Sequence, residues 1–227
     1  MDSKTLKRRA LNNLQGNWGL SVGVALLAAL LGGATVSGTM NLNIDQEILA
    51  ELPPNVLAVI AAIGSVLSIL SFVQFILGGT VNLGYTRFLL DQHDGNELNF
   101  RTLFSQFDRF GVGFLQKFLR GLYIFLWSLL LIVPGIVKTY SYAMTPYILA
   151  DHPEMTANEA ITASRKLMDG HKGELFWLHL TFIGWVLLNA FTLGIGSLFL
   201  NPYMQAAETA FYRQLTSVNR TEYYLGE

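Results

Sequence analysis

The sequence predicts an all-α fold, a polytopic transmembrane helical bundle, and three observations carry that reading. Of 227 residues, 14% are charged and 52% hydrophobic, whereas soluble domains usually carry about 25% charged residues. The charges are also absent from long runs: residues 18–40 and 56–82 hold none, and residues 175–203 hold only His179. Each run reaches the ~20 apolar residues that cross about 30 Å of hydrocarbon. Finally, none of the three shows the recurring polar face of a soluble surface helix.

Taken in order, residues 3–15 set Leu6, Ala10 and Leu14 at helical spacing, with Lys4, Lys7, Arg8 and Arg9 elsewhere. That pattern predicts a short basic helix at the membrane interface. The apolar run that follows is longer than the ~7–15 residues of a signal-peptide core, so it is read as a retained first span over 18–38. Residues 41–55 carry Asp45, Glu47 and Glu51 and end at Pro53-Pro54. A second span is expected over 55–82. The polar stretch 91–113 holds Phe100, Leu103, Phe104, Phe107 and Phe110 at helical spacing, predicting an amphipathic helix.

A third span is expected over 114–133. Pro134-Gly135 then interrupts the apolar run, as a kink or a hairpin. Positive charge favours the cytoplasmic side of a membrane. Lys4 to Arg9 place the N-terminus there, and Arg165, Lys166 and Lys172 return the next loop to that side only if the chain turns back at Pro134-Gly135. The hairpin is therefore preferred, with a short fourth span over 136–150. In the following loop, Thr156 and Glu159 have capping-box spacing. Ile161, Ser164, Leu167 and Met168 fall on one face, and Gly170 suits a helix C-terminus. A fifth span is expected over 174–199. Asn201-Pro202 reads as a helix break and restart, asparagine capping and proline first, with a sixth span over 202–216. The whole is one membrane domain, 1–227, in three hairpins with both termini cytoplasmic.

The chemistry is sparse. With no cysteine, thiolate and disulfide chemistry are excluded. No phosphate loop, nucleophilic triad or metal-ligand spacing occurs, so no catalytic, cofactor or metal residues are assigned. Asp91 and Asp94 fit a solvated loop. No basic block points to nucleic acid. Ionisable residues at membrane depth are costly and tend to pair, which singles out Lys138 and Glu208. Both would lie in the outer half of the bundle, and a pair between them is expected, as a structural clamp or part of a polar pathway.

Many short motifs point to one family. They include Trp127-Ser128-Leu129-Leu130-Leu131-Ile132-Val133-Pro134-Gly135-Ile136, Tyr140-Ser141-Tyr142 and Pro146-Tyr147-Ile148-Leu149-Ala150-Asp151. Gly170-His171-Lys172, Phe182-Ile183-Gly184-Trp185, Pro202-Tyr203 and Phe211-Tyr212 continue the series, and Gly16-Asn17-Trp18 and Leu83-Gly84-Tyr85 precede it. The chain resembles the bacterial integral membrane proteins grouped as domain of unknown function 975. The resemblance implies a plasma-membrane protein and carries over no catalytic residues. The expected role is non-enzymatic: binding of lipid, of a membrane-protein partner or of a second copy. The alternative is a small transporter or channel component.

Overall fold

The computed structural model describes residues 2–33, 53–192 and 196–223, and every regular element among them is helical. The acidic segment around Asp45, Glu47 and Glu51 lies outside the described residues. Helix α1 (Ser3–Leu14) buries Leu6, Ala10 and Leu14, the face its spacing predicts. It packs chiefly against the last helix, α10 (Ser197–Tyr223), where Ala206, Ala207 and Ala210 leave room for close approach. Helix α2 (Trp18–Leu30) follows.

Helix α3 (Pro54–Asp94) is the axis of the molecule. Its 41 residues run about 60 Å at 1.5 Å per residue. The first half is uncovered, with Val59, Val66, Ile69 and Phe72 all exposed, whereas residues 78–81 and 83–86 are buried. Burial depends on missing side chains. A β-carbon on Gly84 would collide with the Leu103 backbone carbonyl, and one on Gly79 with the carbonyl of Gly113. Two 3-10 turns, Phe100–Phe104 and Phe107–Arg109, press Leu103 into that contact. They replace the amphipathic helix expected over 100–110. Asn99 begins the first turn by accepting a 2.9 Å hydrogen bond from the Arg101 amide.

Helix α4 (Phe110–Leu130) ends where Leu131 becomes extended, and α5 (Ile132–Ser141) runs back antiparallel to it. Gly135 lies on Ser128, and Tyr142 faces Tyr123 at 6.2 Å between ring centres. The reversal falls at Leu131, three residues before Pro134-Gly135. Pro134 occupies the first turn of α5, where a missing N–H costs no helical bond. Helix α6 (Thr145–Asp151) is buried from Thr145 to Ala150. Helix α7 (Ala157–Leu167) begins with the capping box of Thr156 and Glu159 and buries Ile161, Ser164 and Leu167, as the sequence predicts. Gly170 takes a left-handed φ of 76° beyond its end. Two helices of 9 residues each follow, α8 (Lys172–Leu180) and α9 (Ile183–Phe191).

These lengths correct the expected six spans. Among the described residues, only α3 is long and apolar enough to cross a membrane. The stretch 136–150 is divided between α5 and α6, broken over Tyr142–Met144, and Pro146 sits in the first turn of α6, where its missing N–H costs no helical bond. The stretch 174–199, of which 193–195 lie outside the described residues, is divided among α8, α9 and the start of α10, with α8 and α9 each only about 14 Å long. There Thr181 bonds back to Leu178 through its hydroxyl (2.7 Å), and Lys7 Nζ donates to the Thr181 carbonyl (2.8 Å). The expected break at Asn201-Pro202 is also absent: both residues lie inside α10, which begins at Ser197. The turn at Pro202 is held in place by the buried face that follows, Ala206, Ala207, Ala210 and Phe211.

Two outcomes are expected. Gly84→Ala should destabilise the detergent-solubilised protein by about 1–3 kcal/mol through overpacking, whereas Gly121→Ala, with open space around it, should not. Thermal unfolding of both variants checks this, and equal midpoints would contradict the packing account. The Thr156 hydrogen bonds hold the Glu159 carboxyl below its usual range. Their contribution is present above the unfolded carboxyl value, about pH 4.3, and lost as pH falls through the lowered one. Amide protection at the start of α7, taken relative to the intrinsic exchange rate at each pH, should fall on acidification in that window.

Candidate functional site: a polar centre at Glu208

Side chains from five helices converge on Glu208 of α10. Nε2 of His179, on α8, lies 2.9 Å from Glu208 Oε1, and the Tyr147 hydroxyl, on α6, donates to Oε2 at 3.4 Å. Tyr140 of α5 packs on the His179 ring at 5.7 Å between centres and on Phe176 at 5.8 Å. Arg120 of α4 is within electrostatic reach of both Glu208 and Tyr147. Tyr85 of α3 is also within reach of Glu208, and its hydroxyl is buried without a hydrogen-bond partner. Gln116 Oε1, one turn before Arg120, and Thr145 Oγ1 are likewise buried and unpaired. Buried polar groups are normally satisfied, and these three are among five buried, unpaired side-chain atoms in the described residues. The centre combines a carboxylate, an imidazole, phenols and a guanidinium, a set able to hold or pass a proton.

The expected Lys138–Glu208 pair is not formed. Glu208 takes His179 and Tyr147 instead, while the Lys138 ammonium lies over the Trp127 ring, 4.5 Å from its centre. The reason is the early reversal at Leu131, which carries Lys138 to the outer side of α5, toward α7. Asn201 and Pro202 lie together against Tyr85, Ser197 and Gln205 around a small cavity of about 110 Å³. Pro134 and Gly135 belong to the start of α5, away from Glu208. One signal would have found the true partner. His179 is the only basic or acidic residue in 175–203, and Glu208 follows shortly after; two isolated ionisable groups in apolar sequence are natural partners. Arg120 and Tyr85 carried no such mark.

A second cluster is architectural. Three arginines gather at the C-terminal end of α6, where cations are favoured. Arg213 binds Asp94 (Nε to Oδ1, 3.0 Å) and Asp151 (Nη2 to Oδ1, 3.2 Å), tying α10 to the ends of α3 and α6. Arg87 pairs with Asp91 at 3.0 Å and donates to the Ala150 carbonyl. Arg109 donates to the carbonyls of Leu149 and Met155. Among the described residues, no group of three His, Asp or Glu side chains is arranged to hold a metal ion.

Fold and centre together define an all-α protein with a polar interior beneath widely uncovered apolar helices. Residues 129–219 match the family described as Protein of unknown function (DUF975), the family that the chain resembles in sequence. The matched stretch contains Tyr147, His179, Glu208 and Arg213; Tyr85 and Arg120 lie outside it. No curated protein and no solved structure matches the chain.

A double-mutant cycle tests the centre. Glu208→Gln and His179→Leu should each destabilise the protein and show a coupling of about 1 kcal/mol. Lys138→Met combined with Glu208→Gln should be additive within about 0.5 kcal/mol. Coupling to Lys138 and none to His179 would reverse the assignment.

Proposed function

We propose that this is a bilayer-embedded protein of the bacterial plasma membrane that acts by binding lipid, without catalysis. The observation that carries the reading is the first half of α3. Ten large apolar side chains between Val56 and Phe75 are exposed, and they point in every direction around the helix. A protein partner would need one apolar stripe, whereas hydrocarbon covers all faces. At about 1.5–3 kcal/mol for each side chain fully removed from water, leaving these partly exposed costs on the order of 10 kcal/mol. Apolar exposure also extends over the α4–α5 tip, from Leu129 to Val133, and over Ile183, Leu187 and Leu188 of α9. The path this supports is one full crossing by α3, with the α4–α5 tip and α8–α9 entering without completing a crossing. Lys4, Arg8 and Arg9 favour a cytoplasmic N-terminus.

A second reading, a small transporter or channel component, is favoured by the Glu208 centre, since such groups mark proton and ion pathways. Partners beyond lipid, including a second copy, have no comparable support.

Vesicle reconstitution separates the readings. The lipid-binding reading expects the chain to float with phosphatidylcholine vesicles, resist alkaline extraction and leave their proton permeability at that of empty vesicles. Extraction into the supernatant would overturn membrane embedding. A proton or ion leak abolished by Glu208→Gln would make the transporter reading the better one.

A further inference from the structure

The α4–α5 hairpin carries a basic groove beside its apolar tip. The groove, of about 300 Å³, is lined by Lys138 and Ser141 of α5, Thr162, Arg165 and Lys166 of α7, and Asp169 and Lys172 beyond it. Four cations thus face one acid, and that acid is already engaged: Lys172 Nζ bonds Asp169 at 3.1 Å. Lys138, Arg165 and Lys166 form no ion pair among the described residues. Lys138 is held in position by the Trp127 ring beneath it, an arrangement that fixes a cation without neutralising it. The Ser141 hydroxyl is already donated to the Val137 carbonyl (2.9 Å), but a concave site with uncompensated positive charge and the Thr162 hydroxyl is complementary to a phosphate group.

Its depth identifies the source of that phosphate. From Ile132 at the tip to Lys138 the chain rises about 9 Å along the helix, a distance within one leaflet of a bilayer whose hydrocarbon is about 30 Å thick. Between tip and groove, Ile132, Val133, Ile136 and Val137 are all exposed, and Phe176 of α8 presents another exposed ring alongside Tyr140. With the tip in hydrocarbon, the groove lies at headgroup level, and the apolar flank of α5 leads from it toward the bilayer interior. A soluble phosphate would use the cations and leave that flank without a role.

We propose that Lys138, Arg165, Lys166 and Lys172 bind the phosphate of an anionic phospholipid, with its acyl chains along the exposed side of α5. This inference rests on the membrane reading above.

The test uses the full chain with Trp127 as the sole reporter, made by Trp18→Phe, Trp177→Phe and Trp185→Phe. The protein is reconstituted in phosphatidylcholine vesicles containing graded amounts of acyl-brominated phosphatidylglycerol or acyl-brominated phosphatidylcholine. Trp127 quenching should reach half its maximum at about tenfold lower mole fraction of the phosphatidylglycerol. Each of Lys138→Gln, Arg165→Gln and Lys166→Gln should lower that preference about fivefold. Lys138→Arg and Lys166→Arg should retain it, which separates lost charge from lost folding. Lys4→Gln with Arg8→Gln and Arg9→Gln, on α1, should leave it unchanged. Equal quenching by the two lipids overturns the inference while leaving membrane insertion intact. Loss of the preference in millimolar inorganic phosphate, at constant ionic strength, overturns the lipid as ligand in favour of a soluble anion. A chain that fails to enter phosphatidylcholine vesicles gives no quenching by either lipid, and then the membrane reading itself fails.

Discussion

Helix α3 changes environment halfway along its length, and the rest of the molecule is arranged around that change. Before Gln74 its apolar side chains face outward on all sides; after Gly78 it is enclosed. The enclosed half is where the backbone of α4 and the 3-10 turn at Leu103 come into contact with glycines. Polar groups finish the junction: Gln74 donates to the Leu30 carbonyl, Asn82 to Gly33 and Lys117 to Gly32. These carbonyls lie at and beyond the end of α2, where helical partners are lacking. A helix half covered by protein and half bare requires a second solvent for the bare half.

Helices α5 to α9 are too short to be stable alone, since isolated helices below about 12–15 residues are marginal in water. Helix α6, with 7 residues, shows how they are retained. It is buried on its apolar side, while Arg87, Arg109 and Arg213 occupy the carbonyls and carboxylate at its end. Its Tyr147 stacks on Tyr212 at 5.4 Å and reaches Glu208 from the other edge. The arginine clamp and the Glu208 centre are thus joined through α6, so loosening either end should disturb the other.

Much of this was legible in the sequence, where the physics is local. The i, i+4, i+8 spacing of Leu6, Ala10 and Leu14 marked a buried face, and Thr156 with Glu159 marked a helix start. The absence of charge over 56–82 marked the exposed apolar half of α3. What stayed hidden was set by contacts between distant residues. Low charge predicts an apolar segment but not an unbroken one: Lys7 meets the Thr181 carbonyl 174 residues away, where α8 gives way to α9. Pro202 read as a helix start because proline suits a first turn, yet the face from Ala206 to Phe211 packs well enough to hold the preceding turn in place. The Lys138–Glu208 expectation failed for a related reason. A reversal three residues early turns Lys138 to another side, and His179 becomes the carboxylate's partner.

The central claim is that hydrocarbon covers the first half of α3. The chain contains no cysteine, so single cysteines can be placed freely and spin-labelled in vesicles, at Val59, Val66 and Phe72 on α3 and at Asn96 and Glu154 as aqueous references. Relaxation by oxygen, which partitions into hydrocarbon, is compared with relaxation by a water-soluble nickel chelate. The account predicts high oxygen and low nickel accessibility at all three α3 positions, with the extreme at Val66, and the reverse at Asn96 and Glu154. Nickel accessibility at Val66 equal to that at Asn96 would contradict it.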